Sequence, residues 1–244
     1  LEHAHRLGPA AIVSWSVLSR PALILGRAAT LPSIDWAACR SLGLSVHRRR
    51  SGGGAVLWDR HLIALDVVLP AGHELLSADV VASYRWLGEA LAEGLVACGV
   101  RAHVVDVQEA RRDEPGPARR AACFGALSPW EVTAGGRKVV GLSQARRRGG
   151  AILQAGLPLR FDTLTLARVL GGDGRMAAAL ESRTAGIADL VPEVTRERVE
   201  SEITRSLAAR LGRRREGLPD PEIRRVEERL AAASYGPLNG LVQG

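Results

Sequence analysis

The apolar positions of this chain fall into short blocks whose period changes about two thirds of the way along. Residues 11 to 25 carry two apolar runs, AIVSW and ALIL, with SVLSRP between them, which predicts a strand, a turn and a second strand. DWAACRSLG at 35 to 43 predicts a short helix stopped at Gly43, and HLIALDVVL at 61 to 69 reads as a buried strand closed by Pro70, Ala71 and Gly72. Beyond Ser77, a candidate helix cap, Val80, Tyr84, Leu87, Leu91 and Leu95 recur at three and four residues and line one helical face, which Gly99 ends. RAHVVDV at 101 to 107 predicts a strand, and the Pro-, Gly- and charge-rich stretch 108 to 120 predicts a loop. WEVT, RKVVGLSQ and AILQAGLPLRF then follow one another too closely for crossover helices, so they predict an antiparallel meander.

After residue 160 the period becomes helical. LTLARVL at 164 to 170 predicts a helix, Val199, Ile203, Leu207 and Leu211 repeat every fourth residue within 195 to 211, and a proline-initiated amphipathic segment covers 221 to 236. The pattern predicts an α+β fold: a mixed, largely antiparallel sheet that carries the loops, with helices packed over it. Residues 1–244 read as a single domain with a helical C-terminal part at about 195–236, the alternative being that the helices at 195 to 233 form a small satellite domain.

Composition adds exclusions. With 46% hydrophobic and 24% charged residues, the chain of 244 residues has the make-up of a folded protein and the length to bury a core without cross-links. The three cysteines, Cys39, Cys98 and Cys123, show no metal spacing and cannot all pair, and no apolar run reaches the ~18 residues of a membrane span. LEHAHRLGPA lacks the order of a signal peptide, so a cytoplasmic protein without membrane contact is expected. The net charge of +7 invites a nucleic-acid reading, but acidic residues are interspersed and aromatics make up only 4%, poor material for stacking bases, so no nucleic-acid partner is expected. Of the 33 Lys and Arg residues, one alone is lysine, Lys138, and a compact ammonium is something arginine cannot imitate.

Candidate chemistry gathers in two glycine-bearing stretches. In HRRRSGGGAV, residues 47 to 56, consecutive glycines between strands let the backbone approach a ligand, or they form a plain flexible turn. The spacing is neither that of a phosphate-binding P-loop nor that of a dinucleotide fingerprint. In ACFGALSPWEVTAGGRKVVGLSQARRRGG, residues 122 to 150, Cys123 follows the expected loop, whereas Cys39 and Cys98 sit in segments that read as packing. His47, His61, His73 and His103 are distant in sequence, so no Cys-His pair is assigned, while Lys138 arrives one short turn later, which leaves Cys123 as either half of a Cys/Lys pair or a small buried hydrophobe.

RRRSGGGAVLWD, ACFGALSPWEV, GRKVVGLSQARRRGGAILQAG and a late ASYG together resemble the lipoate-protein ligase and octanoyltransferase family, related more remotely to biotin ligases. The resemblance covers roughly residues 11 to 236. It implies a mixed sheet around an acyl tunnel, a binding loop formed by Arg49, Ser51, Gly52, Gly53 and Gly54, a substrate contact at Gly141 within GRKVVGLSQ, and Lys138 as the lysine at the activated carboxyl group. Cys123, in a stretch that matches CF-x-x-x-S-x-x-E, resembles the nucleophile of the cysteine-dependent octanoyltransferase branch, which forms an acyl thioester. That branch implies transfer of an octanoyl or lipoyl group from an acyl carrier protein, or another acylated carrier, to a lipoyl-domain lysine, with no cofactor and no metal. The alternative branch, ATP-dependent lipoate ligation, implies ATP and Mg and an acyl-adenylate, and a non-catalytic acyl sensor is a third reading. The chain departs from the family at Trp58 and Ala155, where histidine is frequent, at Ile63 and Ala64, where a polar Asn or Thr is, and at Gly54, commonly arginine.

Overall fold

The computed structural model describes residues 10–16, 20–27, 29, 34–116 and 121–212. Nine strands form two sheets among these residues. The larger sheet has the order β1-β5-β9-β8-β7-β6, built from β1 (Ile12–Ser16), β5 (Leu62–Pro70), β6 (Ala102–Val104), β7 (Val132–Ala134), β8 (Arg137–Arg147) and β9 (Gly150–Pro158), and each neighbouring pair is antiparallel. The smaller sheet has the order β3-β2-β4, from β2 (Ala22–Leu25), β3 (Ser45–Arg48) and β4 (Ala55–Trp58). β2 pairs β3 in parallel because α1 (Trp36–Ser41) carries the chain across between them, and β2 pairs β4 antiparallel.

The two runs within 11 to 25 are strands, as their composition predicts, but they do not pair. β1 joins the large sheet and β2 the small one. The 108 to 120 stretch also differs from its expectation, since α3 (Val107–Arg112) lies at its start. Asp106 caps this helix by accepting from Glu109 N at 2.7 Å, a local bond that favours a helix start despite the charge density. Ser77 caps nothing helical: its hydroxyl accepts from Asp79 N, and α2 (Arg85–Ala97) begins only after a 3-10 turn at Ala82–Tyr84. Downstream come α4 (Thr163–Val169), α5 (Gly174–Glu181), α6 (Ile187–Leu190) and α7 (Arg196–Leu211), with Asp162, Asp173 and Thr195 capping α4, α5 and α7. The helix expected at 221 to 236 lies outside the described residues.

Strand alternation decides which side of each sheet meets what. Ile63, Leu65, Val67 and Leu69 of β5 face Leu87, Leu91 and Leu95 of α2 and Val199, Ile203 and Leu207 of α7, in one buried cluster. In the small sheet Leu23, Leu25, Val46 and Leu57 pack against α1, α4 and α5 through Cys39, Leu166, Val169 and Leu180. The alternate residues, Ala22, Ile24 and Val56 on one sheet and Leu62 on the other, meet in a third cluster with Phe124. Helices thus cover the outer faces, and the inner faces of the two sheets turn toward each other. No helix among the described residues is long and apolar enough to cross a membrane.

Candidate active site

The inner face of the large sheet supplies a floor built in rows. Directly paired residues point the same way, so Ala64, Gly156 and Gly141 of β5, β9 and β8 form one row. Its small side chains leave a trough: a Cβ on Gly141 or on Gly156 would lie 3.4 and 3.7 Å from the Phe124 ring, which spans the trough from above. Two residues along, Asp66, Gln154 and Ser143 form a polar row, and two residues the other way lies the pair Leu62 and Pro158. With Val56 and Trp58 from the small sheet as the opposite wall, Leu62 and the residues of the other two rows enclose a cleft of about 510 Å³ with its open mouth included.

The glycine loop closes the polar end. The Ser51 hydroxyl, buried, donates to Gln154 Oε1 at 2.8 Å and accepts from Ser143 Oγ at 3.2 Å, while Gln154 Nε2 donates to Asp66 Oδ1 at 2.8 Å. The loop carbonyls are fixed as well, with Arg27 N on Ser51 O and Gly26 N on Gly54 O, both at 3.0 Å, and Arg49 Nη2 on Gly52 O at 2.8 Å. Gly26 permits this approach, because a Cβ there would stand 1.9 Å from Gly53 O.

Cys123 opens a 3-10 turn, Cys123–Gly125, and a bridge between Ala55 and Ala122 brings that turn beside the end of the loop. Its sulfur accepts from Arg49 Nη2 at 3.4 Å, and both residues line the cleft. Arg49 Nε, shielded from solvent, has no hydrogen-bond partner among the described residues. The other two cysteines are buried in packing clusters, where desolvation pushes both thiols up, so Cys123 alone of the three combines access with a cationic neighbour. No histidine lines the cleft, and no three His, Cys, Asp or Glu side chains among the described residues converge to hold a metal ion.

Gly53 sits over this pair with φ of +96°, a conformation that disfavours any side chain, and a Cβ would lie 2.8 Å from Arg49 Nη2 and 3.3 Å from Cys123 Sγ. Gly53→Val is therefore expected to push the guanidinium off the sulfur. It should cut activity at Cys123 by more than ~10-fold, while the backbone strain costs only ~1–2 kcal/mol of stability. Reaction rate measured beside a urea transition tests this, and full turnover in the variant would make the loop a structural turn. Gly52 faces open space, and Gly54 contributes its carbonyl to the loop's anchoring.

Lys138 reaches the Cys123 turn, though not as the free ammonium expected from its isolation in the sequence. A register shift between β7 and β8 puts one extra residue into the ladder and turns Lys138 onto the face of Gly141, where a Cβ would lie 3.4 Å from Lys138 Cε. The side chain is 1% exposed, and its Nζ meets Glu131 Oε2 at 2.7 Å, Cys123 O at 2.9 Å and Ala126 O at 3.0 Å. Those partners occupy all three ammonium donors. Lys138 thus stands behind the cleft wall and holds the backbone of the turn that bears Cys123. Glu131 also accepts from Ser128 N at 2.8 Å and Leu142 N at 3.1 Å, and burial pushes its carboxyl up against the pull of Lys138.

Several residues of the site carried no sequence signal of their own. Asp66 and Gln154 look like ordinary strand positions until the register pairs them, and Gly26 shows its purpose only beside Gly53. Glu131 was visible, as the acid that closes the CF-x-x-x-S-x-x-E stretch exactly eight residues after Cys123, a spacing that the Lys138 contact explains.

Known proteins similar in sequence or in fold fall within one family. Among curated relatives, octanoyltransferase LipM of Kyrpidia tusciae is 32% identical over 206 residues, 82% of this chain and 75% of the relative. Octanoyltransferase LipM of Moorella thermoacetica is 33% identical over 251 residues, 100% of this chain and 82% of the relative. Among solved structures, lipoate-protein ligase A bound with ATP superposes with a TM-score of 0.74 at 22% identity, covering 94% of this chain and 85% of that one. The bipartite lipoate protein ligase of Thermoplasma acidophilum, described with its E2 lipoyl domain, gives a TM-score of 0.72 at 21% identity, covering 94% and 84%. At those identities the two structures establish the fold. The family model of the lipoyl protein ligase A/B catalytic domain matches residues 2–208, and the chain belongs to that family.

Proposed function

We propose that this protein is an octanoyltransferase that moves an octanoyl group from a carrier-protein thioester to a lysine of a lipoyl domain, through an acyl thioester on Cys123. The observation that carries the reading is the Cys123 sulfur beside an apolar cleft with the Arg49 guanidinium at 3.4 Å. The relatives named octanoyltransferase support the acyl group, and the neighbour described with an E2 lipoyl domain supports the acceptor.

In the first half-reaction the Cys123 thiol gives its proton to water, the thiolate attacks the thioester carbonyl, and the new C–S bond forms as the carrier's thiolate departs and takes that proton up. Arg49 stands where negative charge develops, and its unpartnered Nε–H is the donor we assign to the oxyanion. In the second half-reaction the acceptor's ammonium gives one proton to Asp66, the carboxylate lining the cleft. The amine then attacks, the C–S bond to Cys123 breaks as the amide forms, and the second amine proton returns to the sulfur. This route needs no cofactor, whereas ligation would need ATP and Mg. The net charge of +7 suits an acidic carrier surface and its phosphopantetheine phosphate.

The test is intact mass after mixing the protein with octanoyl carrier protein, or with octanoate, ATP and Mg. A hydroxylamine-sensitive octanoyl adduct from the carrier alone is expected, and a lipoyl domain should discharge it. Loading only with ATP would replace this reading by ligation. Asp66→Asn should load normally and discharge at least ~10²-fold more slowly; equal discharge would remove Asp66 as the base.

A further inference from the structure

The cleft ends at a wall with a second cavity behind it. That hollow, about 230 Å³ with its opening to solvent included, is lined by Leu57, Asp59, Leu62, Pro158, Arg160, Phe161 and Asp162, and Leu62 is the residue it shares with the cleft. Phe161 on the far side packs on Phe124 on the near side, with ring centroids 5.0 Å apart and planes at 53°. The partition is therefore one aliphatic side chain braced by two rings.

We propose that Leu62 is the end-stop that limits the acyl chain to about eight carbons; this rests on the acyl-transfer reading of Cys123. The polar row at Asp66 and the Leu62 row are four residues apart on β5, about 14 Å at ~3.4 Å per residue. A chain whose carbonyl lies level with the Asp66 row therefore has about 10 Å before its end comes within ~4 Å of Leu62, the closest approach of packed heavy atoms. An octanoyl group has seven carbon–carbon bonds of ~1.5 Å, so it reaches less than about 11 Å and fills that length. A dodecanoyl group has eleven such bonds, about 17 Å of contour, and its end meets Leu62 even after the zigzag shortens it.

The backbone at Leu62 is held independently of its side chain. Its N–H donates to Asp59 O and Oδ1, both at 3.2 Å, and its carbonyl accepts from Arg196 Nη2 at 3.2 Å. Trimming the side chain accordingly merges the two cavities without releasing the strand. Ala64, between the two rows, keeps the trough apolar up to that point.

The experiment gives wild type, Leu62→Ala and Leu62→Val equal concentrations of octanoyl and dodecanoyl carrier protein, and reads acyl-Cys123 and the acylated lipoyl domain by mass, with thermal transitions confirming folding. Wild type should favour octanoyl by at least ~10-fold, since one methylene too many in a closed pocket already costs that much. L62A should shift the octanoyl to dodecanoyl ratio by about tenfold or more toward the longer chain. L62V, the gentler truncation, should shift it in the same direction and keeps the test decisive where L62A folds poorly. An unchanged ratio in a folded L62A or L62V overturns the end-stop alone. A wild type that loads neither donor overturns both the end-stop and the acyl-enzyme reading.

Discussion

Cys123→Ala is expected to form no octanoyl adduct and to lose about 10⁴–10⁶-fold in transfer, the scale on which a covalent nucleophile's removal is felt. Its fold should survive, because the side chain is half-buried at the edge of the cleft and packs only against the margin of the third cluster. The expected loss is large because the site offers no second nucleophile. Ser51 and Ser143 are committed to the chain that ends at Asp66, and no histidine lines the cleft to activate a hydroxyl. Cys39→Ala and Cys98→Ala serve as controls: both remove buried thiols, so they should lower stability and leave transfer intact. Single-turnover transfer of octanoyl from carrier to lipoyl domain checks the prediction. Wild-type transfer by C123A would mean direct attack by the acceptor lysine, and the thioester intermediate would have to be abandoned.

The helical faces and the meander were legible because burial imposes a period on sequence. Leu87, Leu91 and Leu95, or Val199, Ile203 and Leu207, announce their contacts by spacing alone, and the Arg- and Gly-rich turn between β8 and β9 announces the hairpin. Sheet membership was not legible, because adjacency in the chain favours pairing β1 with β2, and only long-range contacts assign them to different sheets. The site was half legible for a related reason. Motif matching finds Arg49, the glycines, Cys123 and Lys138, since their spacing is local, but the floor consists of residues brought together by register. Ala64, Gly156 and Gly141 become a trough only when three strands align them. Lys138 was found but its partners were not, because one bulge decides which face it occupies and three acceptors, Glu131 and two carbonyls, meet its charge there.

Lys138→Met is expected to damage the protein twice, and the two effects separate. The first is stability: Glu131, 2% exposed, would lose its counter-charge inside the protein, which costs about 3–5 kcal/mol when one partner of a buried pair is removed. Adding Glu131→Gln removes the stranded charge, so the double variant should recover part of that loss in a urea titration. The second effect is on chemistry and should persist in the double variant. Cys123 O and Ala126 O would still lack the donor that holds their turn, and the sulfur would no longer be fixed against Arg49. Transfer should fall by ~10²-fold to 10³-fold, comparable with losing one well-placed transition-state donor, so the rate alone does not distinguish a positioning lysine from one that touches the carbonyl. Alkylation of Cys123 by iodoacetamide does, because displacement of iodide passes through no oxyanion. A lysine that positions the turn should change the alkylation rate along with transfer in K138M/E131Q, whereas a lysine that stabilises the oxyanion should leave alkylation as in wild type. Loss of transfer with wild-type alkylation would return Lys138 to the reacting carbonyl, and undiminished transfer in a folded double variant would deny it either role.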